Sequence, residues 1–473
     1  MTHKQTKPQK KLFWQQSAST GIVHAGFLLS LLATLPSCAM LKNELQNFSD
    51  SLSRLTGLAT QAKSEKEFDK QCAESLASLK DETKSGSFFT DLMGVPESEF
   101  GKPENLKKNI VKRADGTFII KSMHPKPVWY KAGAFKAWDI KDLRQEMVKR
   151  EKEKSLKKSD KPGTFNILGP HVGVGALETS GKNKQAVIMV ASNFNAIVDI
   201  GAKMLEVTHY PSDPTQEQRA TLVGLPGILL RYFYGLYSDQ EPDPAKWRQV
   251  SDTTYIDSTE PEKFEKNSQQ IHLLTGPGIS VKDGYVKFVP TKKLADAFDA
   301  GTISNKIGYH RDIQIVLSGT DKQGDYGILQ DPTKLVDHAL VAALSLGESN
   351  YFQQYMTSDL GDFKDDPDSQ YLKRITQMIL NNAYEGIIRA AILQGRKRIY
   401  LTWLGGGAFR NPKKMISAAM ATKTNQALVH DYGLEVYLID WSSEFSGHPE
   451  LVNWLNSSHG HQYKALADLP QEA

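Results

Sequence analysis

What constrains this chain most is a rhythm that starts near Phe165 and runs to about Leu455, in which short apolar runs alternate with longer amphipathic stretches. The runs are Ala186–Val190, Ile313–Leu317, Arg398–Leu404 and Leu434–Ile439. Their length and near-continuous apolarity suit strands buried on both faces. Between them, Thr333–Leu346, Tyr371–Gly395 and Lys413–Tyr432 read as helices. That alternation predicts an α/β fold with a mixed, mostly parallel sheet covered on both faces.

Composition narrows the functional classes. With 473 residues the chain is about three times a typical domain. Its 40% hydrophobic and 9% aromatic content supplies a core and excludes disorder throughout. The 58 basic residues stand against 54 acidic ones, for a net charge of +4. No nucleic-acid partner is expected from so balanced a field. Two cysteines, Cys38 and Cys72, exclude a disulfide framework and a Cys-rich zinc module.

Four segments follow. In residues 1–39, Lys4, Lys7, Lys10 and Lys11 precede an apolar stretch from Gly21 to Pro36. It is shorter than the roughly 20 residues of a spanning helix and reads as a signal h-region. It closes on Leu35-Pro36-Ser37-Cys38, near the lipoprotein pattern. The other reading is translation from Met40, leaving 1–39 untranslated. No other stretch reaches transmembrane length, so none is expected in the mature protein. Residues 40–162 read as helical and lysine-rich, with a stripe at Leu41, Leu45, Phe48, Leu52, Leu55 and Leu58 and aromatics at Trp129, Tyr130, Phe135 and Trp138. Interleaved acids make 102–161 a solvated helix beside core aromatics, the rival being an interaction segment. Residues 163–460 form the α/β domain, and 461–473 a polar tail.

In such sheets ligands bind beyond the carboxyl ends of the strands. After Arg398–Leu404 come Gly405, Gly406, Gly407, Ala408, Phe409, Arg410, Asn411 and Pro412, then a helix. Glycines let backbone N–H groups approach an anion, and a helix start adds donors and a positive dipole end. A phosphate-cradling loop competes here with a plain tight turn. After Ala186–Val190 come Asn193, Phe194 and Asn195, whose amides suit ribose hydroxyls or a base edge, or simply cap the strand. Gln216 and Glu217 sit at a helix start. Asp312 precedes a strand and Asp321, Asp325 and Asp331 surround a glycine-containing turn, where carboxylates bind a metal, orient water or simply cap turns. Asp337-His338 reads as a pair within a helix, and His459 with His461 as exposed tail. No metal centre and no cofactor are expected.

The order ASNFN, TQ with a downstream arginine, an Asp-led strand and LTWLGGGAFRNP resembles the macrodomain superfamily, in particular its divergent branch of MavL-like bacterial effector proteins. The resemblance covers roughly residues 165–460. It implies a three-layer α/β/α fold that binds ADP-ribose at the carboxyl edge of its sheet. It also implies an ADP-ribosylhydrolase acting on an arginine linkage, with ADP-ribosylated ubiquitin as partner. By motif, Gly405, Gly406, Gly407, Ala408 and Phe409 look like the diphosphate loop. Asn193 and Asn195 resemble distal-ribose residues, and Phe194, which packs between them, and Gln216 are counted with the ligand contacts. Asp312, Asp321, Asp331 and Glu217 are the implied acids near the scissile bond. The branch reads TQGP where this chain has Thr215-Gln216-Glu217-Gln218. The rival to a hydrolase is a non-catalytic ADP-ribose reader. Kinship with effectors implies delivery into a host cell, and a real signal ending at Cys38 implies an envelope lipoprotein.

Overall fold

A computed structural model describes residues 65–170, 172–197, 206–212, 221–233, 255–257, 271–282, 284–318, 325–347, 351–357 and 362–471. The signal-like stretch, Cys38 and the leucine stripe from Leu41 to Leu58 lie outside them, as do Gln216, Glu217 and Asp321. The chain divides into Met1–Gln71 and Cys72–Ala473. In the first, the described residues 65–71 are helical. The second carries everything below.

Its central sheet has eleven strands. They are β1 (Ile110–Lys112), β2 (Phe118–Lys121), β3 (Trp129–Asp139), β4 (Thr164–Leu168), β5 (Val187–Ala191), β6 (Leu274–Thr275), β7 (Ser304–Gln314), β8 (Leu335–Val341), β9 (Arg398–Leu401), β10 (Glu435–Ile439) and β11 (Gln462–Tyr463). Their order is β11-β4-β10-β9-β5-β8-β7-β3-β2-β1, with β6 also on β7. From β11 to β8 all neighbours are parallel. From β8 to β1 they are antiparallel.

Because side chains alternate along a strand, each buried run feeds two layers. Val187, Met189, Ile399, Leu401, Val436 and Leu438 pack in one large core with the inner sides of helices α1 (Ile140–Lys152), α4 (Pro367–Leu393), α5 (Lys413–Met420), α6 (Lys423–Tyr432) and α7 (Pro449–Ser457). Ile188, Tyr400, Tyr437 and Ile439 pack with α2 (Val174–Thr179) on the opposite face. On the antiparallel side, α3 (Leu225–Tyr232) packs with Tyr130, Ala132 and Ile315. The sheet is therefore mixed and covered by helices on both faces.

Several local expectations need correcting. Thr333–Leu346 is not a helix: it contains β8, buried from Val336 to Val341. A run that is apolar nearly throughout satisfies either period, and burial between β5 and β7 selects the strand. Only Ile313 and Gln314 of the expected strand at 313–317 belong to β7. Lys413–Tyr432 is two helices, the second capped by Thr422, whose hydroxyl accepts from Asn425 N–H at 3.2 Å.

The lysine-rich region is also woven into the sheet, because residues 110–139 supply β1, β2 and β3. Tyr130 and Phe135 are buried. Trp129 and Trp138 stay half-buried beneath lysines, with Lys121 at 5.7 Å and Lys136 at 3.3 Å from their ring centres. The alternation of aromatic and lysine thus serves one buried and one wet face. At the other end, the expected tail supplies β11, and Ile167 N–H donates to His461 O at 2.9 Å. Two backbone crossings demand glycine. A Cβ at Gly133 (φ +75°) would lie 2.0 Å from Arg311 O, and one at Gly460 would lie 1.7 Å from Phe165 O.

Candidate functional site

The parallel strands β5, β8, β9 and β10 end at one edge, and their exits interlock there. After β5, Ser192 N–H donates to Val341 O at 2.8 Å and Phe194 N–H donates to Gly284 O at 2.8 Å. Asn195 Oδ1 accepts from Ile197 N–H at 3.1 Å, closing a tight turn around Ala196 (φ +58°). Phe194, counted among the ligand contacts, is buried and packs in the large core. Asn193 and Asn195 are also buried, and among the described residues their Nδ2 atoms have no hydrogen-bond partner.

After β9 comes the glycine loop. Tyr384 of α4 anchors its start, donating to Thr402 O at 2.7 Å and accepting from Leu404 N–H at 3.0 Å. Gly405 (φ +69°) turns so closely that a Cβ would lie 2.5 Å from Asn411 Nδ2 and 2.7 Å from Ala343 Cβ. The buried Asn411 side chain ties the loop to the β8 exit by donating to Leu344 O at 2.8 Å, and Leu346 N–H donates to Phe409 O at 2.9 Å. Gly407 and Ala408 are exposed, and a Cβ at Gly407 would meet nothing within 4 Å. Among the described residues the N–H groups of Gly407, Ala408 and Phe409 donate to nothing, whereas the loop's flanks are bonded: Gly406 N–H to Trp403 O, Arg410 N–H to Gly407 O and Asn411 N–H to Gly405 O. Three successive amides without an acceptor among the described residues precede a helix start, donors of the kind that suit an anion.

The β10 exit completes the edge. Asp440, 2% exposed, accepts Trp403 Nε1–H at 3.0 Å and the N–H groups of Glu444 and Phe445 at 3.1 Å each. Lys413, the first residue of α5, lies over the Trp403 ring at 4.9 Å and pairs with Glu444 at 3.0 Å. Sequence reasoning passed over Trp403, Lys413, Asp440 and Glu444. Trp403 and Lys413 flank the glycine loop in sequence, which was the available signal.

Of the implied acids, Asp312 and Asp331 lie away from this edge, while Asp321 and Glu217 fall outside the described residues. Asp312 sits in the β7 bulge beside the start of β8, at the amino edge. Its carboxylate accepts from Arg396 at 2.5 Å and Arg311 at 2.7 Å. Its N–H donates to Asp337 Oδ1 at 2.8 Å, and Asp337 also takes Arg396 Nε–H and the Tyr309 hydroxyl. Burial pushes Asp337 up against the pull of Arg396. Asp331 precedes β8 at the same edge, exposed, and caps a turn through Thr333. Both are structural groups on the far side of the sheet from the glycine loop.

A further charged group lies under the middle of the sheet. His310, His338, Glu178 and Arg231 are all buried. His338 Nε2 is 3.2 Å from Glu178 Oε1, so Asp337-His338 is a buried strand pair and not a helical one. Burial raises Glu178, against the opposing pull of His338. Among the described residues no group of three His, Cys, Asp or Glu is placed to hold a metal ion. Among them, too, no helix is long and apolar enough to cross a membrane.

The chain matches no protein-family model and no curated protein. Solved structures similar to it include poly(ADP-ribose) glycohydrolase from Thermomonospora curvata, with 13% identity and a TM-score of 0.35 over 75% of this chain and 95% of that one. The same enzyme bound to the inhibitor ADP-HPD gives 13% and 0.32 over the same shares. Poly(ADP-ribose) glycohydrolase from Deinococcus radiodurans in complex with ADP-ribose gives 11% and 0.34 over 68% of this chain and 94% of that one.

Proposed function

We propose that the chain binds ADP-ribose at the carboxyl edge of its sheet and hydrolyses the glycosidic bond joining mono-ADP-ribose to a protein side chain. One observation carries the binding: the N–H groups of Gly407, Ala408 and Phe409 ahead of α5, which have no acceptor among the described residues. Successive donors at a helix start suit a diphosphate, which gains from several hydrogen bonds and from the helix dipole. Asn193 and Asn195 at the neighbouring exit suit the ribose end. An arginine linkage on ubiquitin is the acceptor that the resemblance to MavL-like proteins implies.

Cleavage at the ribose anomeric carbon builds oxocarbenium character, which a carboxylate stabilises while an acid protonates the leaving nitrogen. A bound diphosphate fixes that carbon relative to the acid. Asp312 and Asp331 are committed at the other edge; of Glu217 and Asp321 we assign the acid role to Glu217, which follows Gln216 in the motif that the resemblance rests on.

Calorimetric titration with ADP-ribose, beside a Gly406→Glu variant, tests the binding. Micromolar affinity in the wild type that the variant loses supports the reading, and no heat from either protein ends it. Release of ADP-ribose from arginine-, glutamate- and serine-linked substrates tests the hydrolysis, with Glu217→Gln expected to bind without releasing. One observation favours a reader instead: Asp440 and Glu444, the carboxylates described at this edge, are bonded to Trp403 and Lys413. Binding with no release from any of the three linkages would establish that alternative.

A further inference from the structure

Beside the glycine loop the structure holds a cation that the binding reading does not yet use. The Lys413 Nζ and Cε atoms lie 3.1 and 3.0 Å from where a Cβ on Gly406 would stand. With no side chain on Gly406, the ammonium packs directly against the loop. The amine is held on two sides, by the Trp403 ring at 4.9 Å and by Glu444 at 3.0 Å. Its side chain is 29% exposed, so it reaches solvent at this spot.

The two restraints share one origin. Asp440 accepts Trp403 Nε1–H and also the Glu444 N–H, so a single buried carboxylate sets both the ring under Lys413 and the turn carrying its counter-ion. Glu444 has a second partner in the Ser442 hydroxyl at 2.6 Å, and the Ser442 bond, against the desolvation that opposes it, leads in holding its carboxyl below the usual range. It stays anionic and anchored if Lys413 turns away. An ammonium carries three donors, and Glu444 engages one.

We propose that Lys413 is a ligand-binding cation for the phosphate groups seated on the loop, and that Glu444 restrains it by competing with that anion. The inference rests on the ADP-ribose reading above. It goes beyond it by naming a charged side chain and a carboxylate that sets affinity in the opposite direction. Charge-assisted bonds to phosphate are roughly twice as strong as neutral ones, so the neutral substitution Lys413→Gln should weaken binding about tenfold. Glu444→Gln should tighten it about threefold, the scale of a part-exposed ion pair.

The experiment is titration of the full chain with ADP-ribose and with inorganic pyrophosphate at low and high salt. The proteins are the wild type, Lys413→Gln, Lys413→Arg, Glu444→Gln and the double variant, each checked for an unchanged melting temperature. Expected are weaker, less salt-dependent binding in Lys413→Gln, rescue by Lys413→Arg, tighter binding in Glu444→Gln, and loss of the Glu444 effect when Lys413 is gone. Wild-type binding that Lys413→Gln leaves unchanged in affinity and salt dependence overturns the proposal while keeping the ADP-ribose reading. No wild-type binding of either probe overturns both.

Discussion

Arg231 donates to His310 Nδ1 at 3.0 Å, while the opposite nitrogen of that ring donates to Ala132 O at 2.6 Å. The pairing fixes one neutral tautomer inside the sheet, because a second ring proton would point at a guanidinium. Burial, with Arg231 and His338 beside it, holds His310 well below its ordinary value, and burial likewise pushes Arg231 down to about 10.

Stability therefore falls on the acid side. Below the ordinary histidine value of about 6.5 the unfolded chain takes up a proton that folded His310 refuses, costing up to about 1.4 kcal/mol per pH unit. Thermal melts from pH 7.5 to 5.5 should show a decline that is shallower in His310→Gln. Equal slopes in both proteins would remove His310 as the cause.

Glu178 acts with the opposite sign. Its folded value is raised, so its contribution is complete below the ordinary glutamate range and is lost as pH rises through the folded value. Melts from pH 5 to 9 should lose less stability toward the alkaline end in Glu178→Gln than in the wild type.

At the amino edge, Arg396→Met strands Asp337 without a counter-ion. Breaking a buried pair costs about 3–5 kcal/mol in denaturant unfolding. Adding Asp337→Asn should recover part of that loss, since the two residues share one network.

Gly407 separates fold from function. A side chain there meets nothing within 4 Å, so Gly407→Val should change stability by no more than about 0.5 kcal/mol. A ligand on the neighbouring amides occupies that space, and its affinity should drop at least about tenfold, a loss near 1.4 kcal/mol. Unchanged ADP-ribose binding in this variant would place the ligand elsewhere.

Asp331→Ala should leave ADP-ribose release at the wild-type rate, because Asp331 caps an exposed turn at the edge opposite the loop. A release rate that collapses in a fully folded variant would return Asp331 to the list of acids.

The legible part of the sequence was what a local period or a local turn dictates. Ala186–Val190 covers β5 except Ala191, Arg398–Leu404 and Leu434–Ile439 contain β9 and β10, and Tyr371–Gly395 contains most of α4. The glycine loop and the ASNFN turn were placed at strand exits, where they lie. Thr333–Leu346 was not legible, since a run buried on all sides carries no period, and taking it as a helix hid the edge to which Asp312 belongs. Trp403, Lys413, Asp440 and Glu444 meet only through the folding of β10 beside β9, a contact that no short motif spells out.

The glycine at each backbone crossing has a consequence for descent. At Gly133 and Gly460 a second strand or loop passes where a side chain would begin. Any lineage that keeps this strand order must keep glycine at both places or re-route the chain, while the loops around the site stay free to change. Kinship with this protein would thus be read most durably from two silent positions in the scaffold, and its specialisation from the rim.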